Sequence, residues 1–140
     1  MSTSLSARML LTALFVLAFS AAVTVQVAAD APLALPFFQQ FDDLNPCSGQ
    51  THTITVSGTA YVNDENGALI VHVDRSIATN SGFEGRGTST LVDNGQVSKF
   101  SLRDTLTNVS GERIRAGFIL VIDLSTGEAK AFHGAVACVR

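Results

Sequence analysis

Asn45-Pro46-Cys47-Ser48-Gly49-Gln50 runs straight into Thr51-His52-Thr53-Ile54-Thr55-Val56, and the fold depends on how these two halves join. The first half has the composition of a turn and holds one of only two cysteines. In the second half Thr51, Thr53, Thr55, Ser57 and Thr59 share one parity, and His52, Ile54, Val56, Gly58 and Ala60 share the other. Such period-two alternation predicts a β-strand with one polar and one mainly apolar face. The second cysteine, Cys138, closes the last run of this kind. A bond between the two thiols therefore ties the first predicted strand to the last.

Between them the alternation repeats, broken by turn residues every 8 to 12 positions. Asn66-Gly67 is a strong hairpin signal, because both residues tolerate the positive φ of a primed turn. A second strand is predicted from Ala68 to Ile77, with Leu69, Val71 and Val73 opposite Ile70, His72 and Asp74. Thr79-Asn80-Ser81-Gly82 ends it. A third runs from Gly85 to Val92, where two glycines suggest a bend.

The fourth strand, Val97 to Thr107, places Phe100, Leu102, Asp104 and Leu106 on one face. The fifth, Arg113 to Leu124, turns Ile114, Ala116, Phe118, Leu120 and Ile122 inward, and Ile119 and Val121 suggest that its second half is covered on both sides. The sixth, Ala129 to Val139, carries Phe132, Gly134, Val136 and Cys138 on one face and mostly alanines on the other. The expected fold is all-β: an antiparallel six-stranded meander closing into a small β-barrel, with a two-layer sandwich as the alternative. A disulfide asks only that the two Cα atoms lie within about 7 Å, which either arrangement allows.

Upstream the pattern is different. Residues 1–29 read as a signal peptide: Arg8, then an apolar run from Met9 to Val25, then the small residues of Val27-Ala28-Ala29. The alternative is an uncleaved membrane anchor, but no basic stop-transfer cluster follows. Residues 30–45 form a lead containing Phe37, Phe38 and Phe41, expected to fold back on the β-domain of residues 46–140 with a helical turn after Pro36. An exported protein keeps disulfides, so the two cysteines have one intramolecular pairing, Cys47 with Cys138. The loop of about 90 residues that it closes is worth roughly 4.5 kcal/mol in the chain-entropy account. The alternative is two reduced, buried thiols.

The formal net charge of -3 leaves no electrostatic footprint for nucleic acid and argues against a basic membrane-surface protein. With the signal peptide removed, the expected location is extracellular, with no membrane association.

On Asn45-Pro46-Cys47-Ser48-Gly49, on Thr55-Val56-Ser57-Gly58-Thr59 and on Cys138, the chain resembles a loose group of small secreted bacterial β-proteins of unassigned function. The resemblance implies an exported, disulfide-closed β-fold and carries no catalytic residues. A more distant likeness to lipocalin-type barrels is architectural, and fold does not fix function.

The residues offer little catalytic chemistry. His52, His72 and His133 lie on three predicted strands, yet His52 shares an apolar face whereas the other two lie opposite theirs. No metal site is assigned on that parity. No nucleophile elbow occurs, and both thiols are expected in the disulfide. Gly82-Phe83-Glu84-Gly85-Arg86-Gly87 reads as a turn because no helix follows to complete a phosphate cradle. No cofactor and no catalytic residue are assigned. Arg103 and Arg115, near neighbours across a hairpin, read as a solvated face. Asn108-Val109-Ser110 fits a glycosylation sequon.

Asp104 is the exception. A carboxylate among Phe100, Leu102 and Leu106 needs either a bulge to turn it out or a polar partner inside. The function expected is a non-enzymatic β-scaffold with a structural or interaction role, and a protein partner is one candidate. A carrier of a small apolar ligand is the alternative, with Phe100, Phe118, Leu120 and Phe132 lining its site. An extracellular enzyme is the other class, with Asp104 and the histidines as its candidates.

Overall fold

The computed structural model describes residues 32–140. The signal peptide expected over residues 1–29 lies outside that range. Seven strands follow one another: β1 (Leu33–Leu44), β2 (Thr51–Glu65), β3 (Ala68–Thr79), β4 (Glu84–Asp93), β5 (Val97–Thr107), β6 (Arg113–Asp123) and β7 (Ala129–Val139). They form one antiparallel sheet in the order β1 to β7, each strand paired with its neighbour in sequence.

The six expected strands all form, as β2 to β7. The Asn66-Gly67 hairpin takes the backbone its residues suggested, with φ of 54° and 79°. The lead is a correction. It packs on the β-domain but forms no helical turn; residues 33–44 are a full strand paired along its length with β2, from Leu33 opposite Val62 to Leu44 opposite Thr51. Its Pro36 is found where proline in a sheet is tolerated, on an edge strand bonded on one side only. Phe37 and Phe41 turn inward and Phe38 outward, 69% exposed.

The expected closure is also corrected. Among the described residues no ladder joins β1 to β7, so the sheet is not closed into a barrel by backbone hydrogen bonds. The extra strand is the reason: β1 occupies the edge of β2 that β7 was expected to meet. The disulfide does form, with Cα atoms 5.0 Å apart, but it joins the β1–β2 turn to the end of β7. Arg140 beyond β7 reinforces the same end, donating from Nη2 to the Cys47 carbonyl at 3.4 Å and meeting Glu112 at 3.3 Å.

The inner face holds two apolar clusters. One gathers Val71, Val73, Leu91, Phe100, Phe118 and Leu120; the other, toward the disulfide, gathers Val56, Ile77, Phe83, Leu106 and Ile114. Phe37 packs against both. On the outer face of β6 Ile119 is 41% exposed, so the expected second cover over that strand is absent among the described residues.

Candidate functional site

One transverse row of the sheet explains the oddity of Asp104. Following the register strand by strand, Phe37, Gly58, Arg75, Gly87, Asp104, Ala116 and Val136 stand opposite one another across all seven strands. Parity turns this whole row inward, between the two apolar clusters. Its two charged members have opposite signs, and between them lies only Gly87.

Gly87 makes their meeting possible. A Cβ at this position would overlap the Asp104 carboxylate, so only glycine leaves β4 open for a side chain from β3 to reach one from β5. Arg75 Nη2 donates to Asp104 Oδ1 at 2.5 Å and to the Thr88 carbonyl at 3.3 Å. No bulge turns Asp104 out. Burial pushes its carboxyl up, to about 6, against the pull of the Arg75 guanidinium, which favours the anion. Burial likewise lowers Arg75, opposed by Asp104.

Two polar atoms remain beside the pair. Arg75 Nε and Ser89 Oγ are buried and make no hydrogen bond to any described group. Arg75 is 9% exposed and Ser89 2%. Ser89 follows Gly87 by two residues on β4, so it stands diagonal to Arg75 on the same inner face.

Arg75, Asp104 and Ser89 are among the residues around one cavity of about 160 Å³, to which every strand contributes. Its wall is mostly apolar and includes Phe37, Val73, Leu91, Phe100, Leu102 and Phe118. Of the four residues expected to line an interior site, Phe100 and Phe118 border the cavity, their rings 5.4 Å apart. Leu120 and Phe132 lie further from the disulfide, packed in the apolar cluster behind that wall.

A second polar group lies at the disulfide end. Asn45, 3% exposed, donates from its N–H to the Gln50 carbonyl and accepts from the Gly49 N–H, both at 2.8 Å. Its Oδ1 accepts from the Cys47 N–H at 2.8 Å, and its Nδ2 donates to Ser81 Oγ at 3.4 Å. His52, 5% exposed, sets Nδ1 2.6 Å from the same Ser81 oxygen, which also lies 3.0 Å from Thr79 Oγ1. Burial lowers the His52 pKa, opposed by Asp43. The opening Asn45-to-Gln50 turn is thus bonded within itself and to the β3–β4 turn.

The remaining candidates disperse. His72 lies on the outer face beside Asp74, at 3.2 Å, and His133 is exposed on β7. Among the described residues no cluster of metal-ligating side chains forms. Arg103 and Arg115 are exposed diagonal neighbours on the outer face, since Arg115 pairs with Thr105. In the sequon the Asn108 amide donates to Glu112 Oε2 at 3.0 Å while its oxygen accepts from the N–H groups of Ser110 and Glu112, so this side chain organises its turn.

Sequence reasoning found Asp104 but missed Arg75. The signal was present: one more step of the parity of Val71 and Val73 reaches Arg75, and a glycine stands on the strand between. Comparison with known protein families, curated proteins and solved structures finds no match.

Proposed function

We propose that this chain is an exported, non-enzymatic β-protein that holds a small, mostly apolar molecule inside its curled sheet, which serves as a barrel-like container clasped by the disulfide. The observation that carries this reading is the cavity of about 160 Å³ with walls from all seven strands. Small barrels commonly fill their interior with side chains. Here the small side chains of Ala60 and Ala116 on its wall leave it open. An apolar cavity of roughly 150 Å³ accommodates benzene, so the expected occupant has about six to nine non-hydrogen atoms.

Export is supported by the signal-like residues 1–29 and by the disulfide, which persists in oxidising compartments. Among the described residues no helix is long and apolar enough to cross a membrane.

Native mass spectrometry of the protein purified under oxidising conditions tests the reading. It is expected to find the intact disulfide, two hydrogens below the reduced mass, and a bound small organic molecule. Bare protein whose Val73, Leu91 and Leu102 methyl resonances also fail to shift on adding benzene would leave only a stapled scaffold.

A further inference from the structure

The cavity extends from the central row along the inner face to the disulfide end, where Gln39, Asp43 and His52 join its wall. On β1 and β2 these residues stand in successive inward rows: Asp43 opposite His52, then Phe41 opposite Ile54, then Gln39 opposite Val56. Each row lies about 7 Å from the next. Asp43 and Gln39 are half-buried, so a polar group beside them is not stripped of all its water.

The protons of the surrounding network assign the tautomer of His52. Thr79 donates its single hydroxyl proton to the Phe83 carbonyl, at 3.1 Å. The 3.0 Å contact between Thr79 Oγ1 and Ser81 Oγ therefore runs from the Ser81 hydroxyl, and that uses the one proton Ser81 has. Ser81 Oγ also accepts from Asn45 Nδ2, so the 2.6 Å contact with His52 Nδ1 needs its proton on the imidazole. His52 Nε2 is left with a lone pair. It has no partner among the described residues, and it is not sealed in: the only sealed side-chain nitrogen and oxygen atoms without a partner there are Arg75 Nε and Ser89 Oγ.

The charges around the cavity favour a cation. Arg75 and Asp104 neutralise each other, Gln39 and Ser89 carry no charge, and burial opposes a charge on His52. Asp43 remains as one carboxylate without an ion-pair partner among the described residues. Its Oδ1 accepts the Leu44 N–H at 2.7 Å, which leaves Oδ2. A carboxylate oxygen and a bare imidazole nitrogen both accept, so the head that suits them donates and is positively charged. The next two rows, with Phe41, Ile54 and Val56, give an apolar bed for the rest of the molecule.

We infer that the cavity, if it carries a ligand as proposed above, takes a small primary amine in its protonated form, with the ammonium between Asp43 Oδ2 and His52 Nε2 and the hydrocarbon part against Phe41, Ile54 and Val56. This inference rests on the carrier reading and specifies what is carried and at which end.

The test compares four molecules of similar size by titration calorimetry and NMR. Benzylamine carries the ammonium, benzyl alcohol a neutral donor, ethylbenzene no polar head and benzoate an anion. Benzylamine is expected to bind at least roughly tenfold tighter than ethylbenzene, the return from a hydrogen bond to a charged group, with benzyl alcohol between them. It is also expected to shift the His52 Nε2 resonance and the Ile54 and Val56 methyls. Asp43→Asn keeps an oxygen for the Leu44 N–H and should fold; it is expected to weaken benzylamine roughly tenfold and leave ethylbenzene unchanged. Benzylamine binding no tighter than ethylbenzene or benzyl alcohol, tighter binding of benzoate, or undiminished benzylamine affinity in Asp43→Asn overturns the amine inference while leaving a carrier. No binding by any of the four overturns the carrier reading itself.

Discussion

Two polar groups toward the inside of the sheet differ in how completely they are satisfied. At the disulfide end Asn45, His52 and Ser81 bond to one another and to the turns around them. In the central row Arg75 and Asp104 meet at 2.5 Å, yet Arg75 Nε, and Ser89 Oγ in the next row, bond to no described group. A saturated network stabilises and fixes geometry; an unsaturated one in a cavity keeps bonding capacity in reserve. The first group fixes the turns at the disulfide end; the second leaves two buried polar atoms without a partner among the described residues. The Asn45-to-Gln50 turn belongs to the better satisfied of the two.

Four changes break or sharpen this contrast. The largest effect is expected at the clasp. Replacing Cys47 and Cys138 by alanine opens a loop of 91 residues, and the chain-entropy account places the loss at about 4–5 kcal/mol, read from urea unfolding. Next comes the central row. Asp104→Ala leaves a buried Arg75 without its counter-charge and should cost about 3–5 kcal/mol. The double change Arg75→Met with Asp104→Leu should be close to neutral, because it removes both desolvation costs together. A double mutant as unstable as the single would show that the pair itself holds the sheet.

The third change is in pH. Asp104 keeps its proton in the native state up to about 6, whereas the unfolded chain releases it near 3.8. Its contribution is therefore complete below 3.8 and is lost as pH rises through 6, by no more than about 3 kcal/mol. His52 acts in the opposite sense, because its lowered pKa makes stability fall as pH drops below 6.5. Urea midpoints compared between pH 4 and 6.5 in the wild type and in Asp104→Asn isolate the carboxyl, since the His52 contribution cancels. The variant is expected to lack the decline; an identical pH profile in both would refute the assignment.

The smallest effect sets two serines against each other. Ser81→Ala removes the oxygen shared by His52, Asn45 and Thr79 and should cost about 1–2 kcal/mol. Ser89→Ala removes a buried hydroxyl with no partner among the described residues and should raise stability rather than lower it, by about 1 kcal/mol. Equal costs in thermal unfolding would erase the distinction between the two groups.

What was legible in the sequence follows the same physics. From Thr51 onward polar and apolar residues alternate, so the six strands and the turns between them could be read, and two cysteines leave one intramolecular pairing. β1 was hidden because its two faces are not chemically distinct. Gln39 and Asp43 turn inward while Pro36, Phe38 and Leu44 turn outward, so no period-two contrast marks the segment, and Pro36 suggested a helix start. Missing β1 led directly to the expectation of a closed ladder between the outermost strands.

The site was half legible for a related reason. Asp104 stood out because it broke an apolar face, but its partner lies 29 residues away and is reached across a third strand. No local pattern announces a pair of that kind. It becomes visible only when the inward parity of β3, β4 and β5 is followed together and Gly87 is seen as the gap through which Arg75 passes. The cavity needs all seven strands in register, and no single stretch encodes it.

The account's central claim is that the interior keeps an open, mostly apolar chamber beside the Arg75–Asp104 pair. Crystals of the oxidised protein pressurised with xenon test this most directly, since xenon enters apolar cavities of this size. A xenon site in contact with Phe37, Val73, Phe100 and Leu102 is the expected result. An interior without xenon, with those side chains packed against one another, would contradict it.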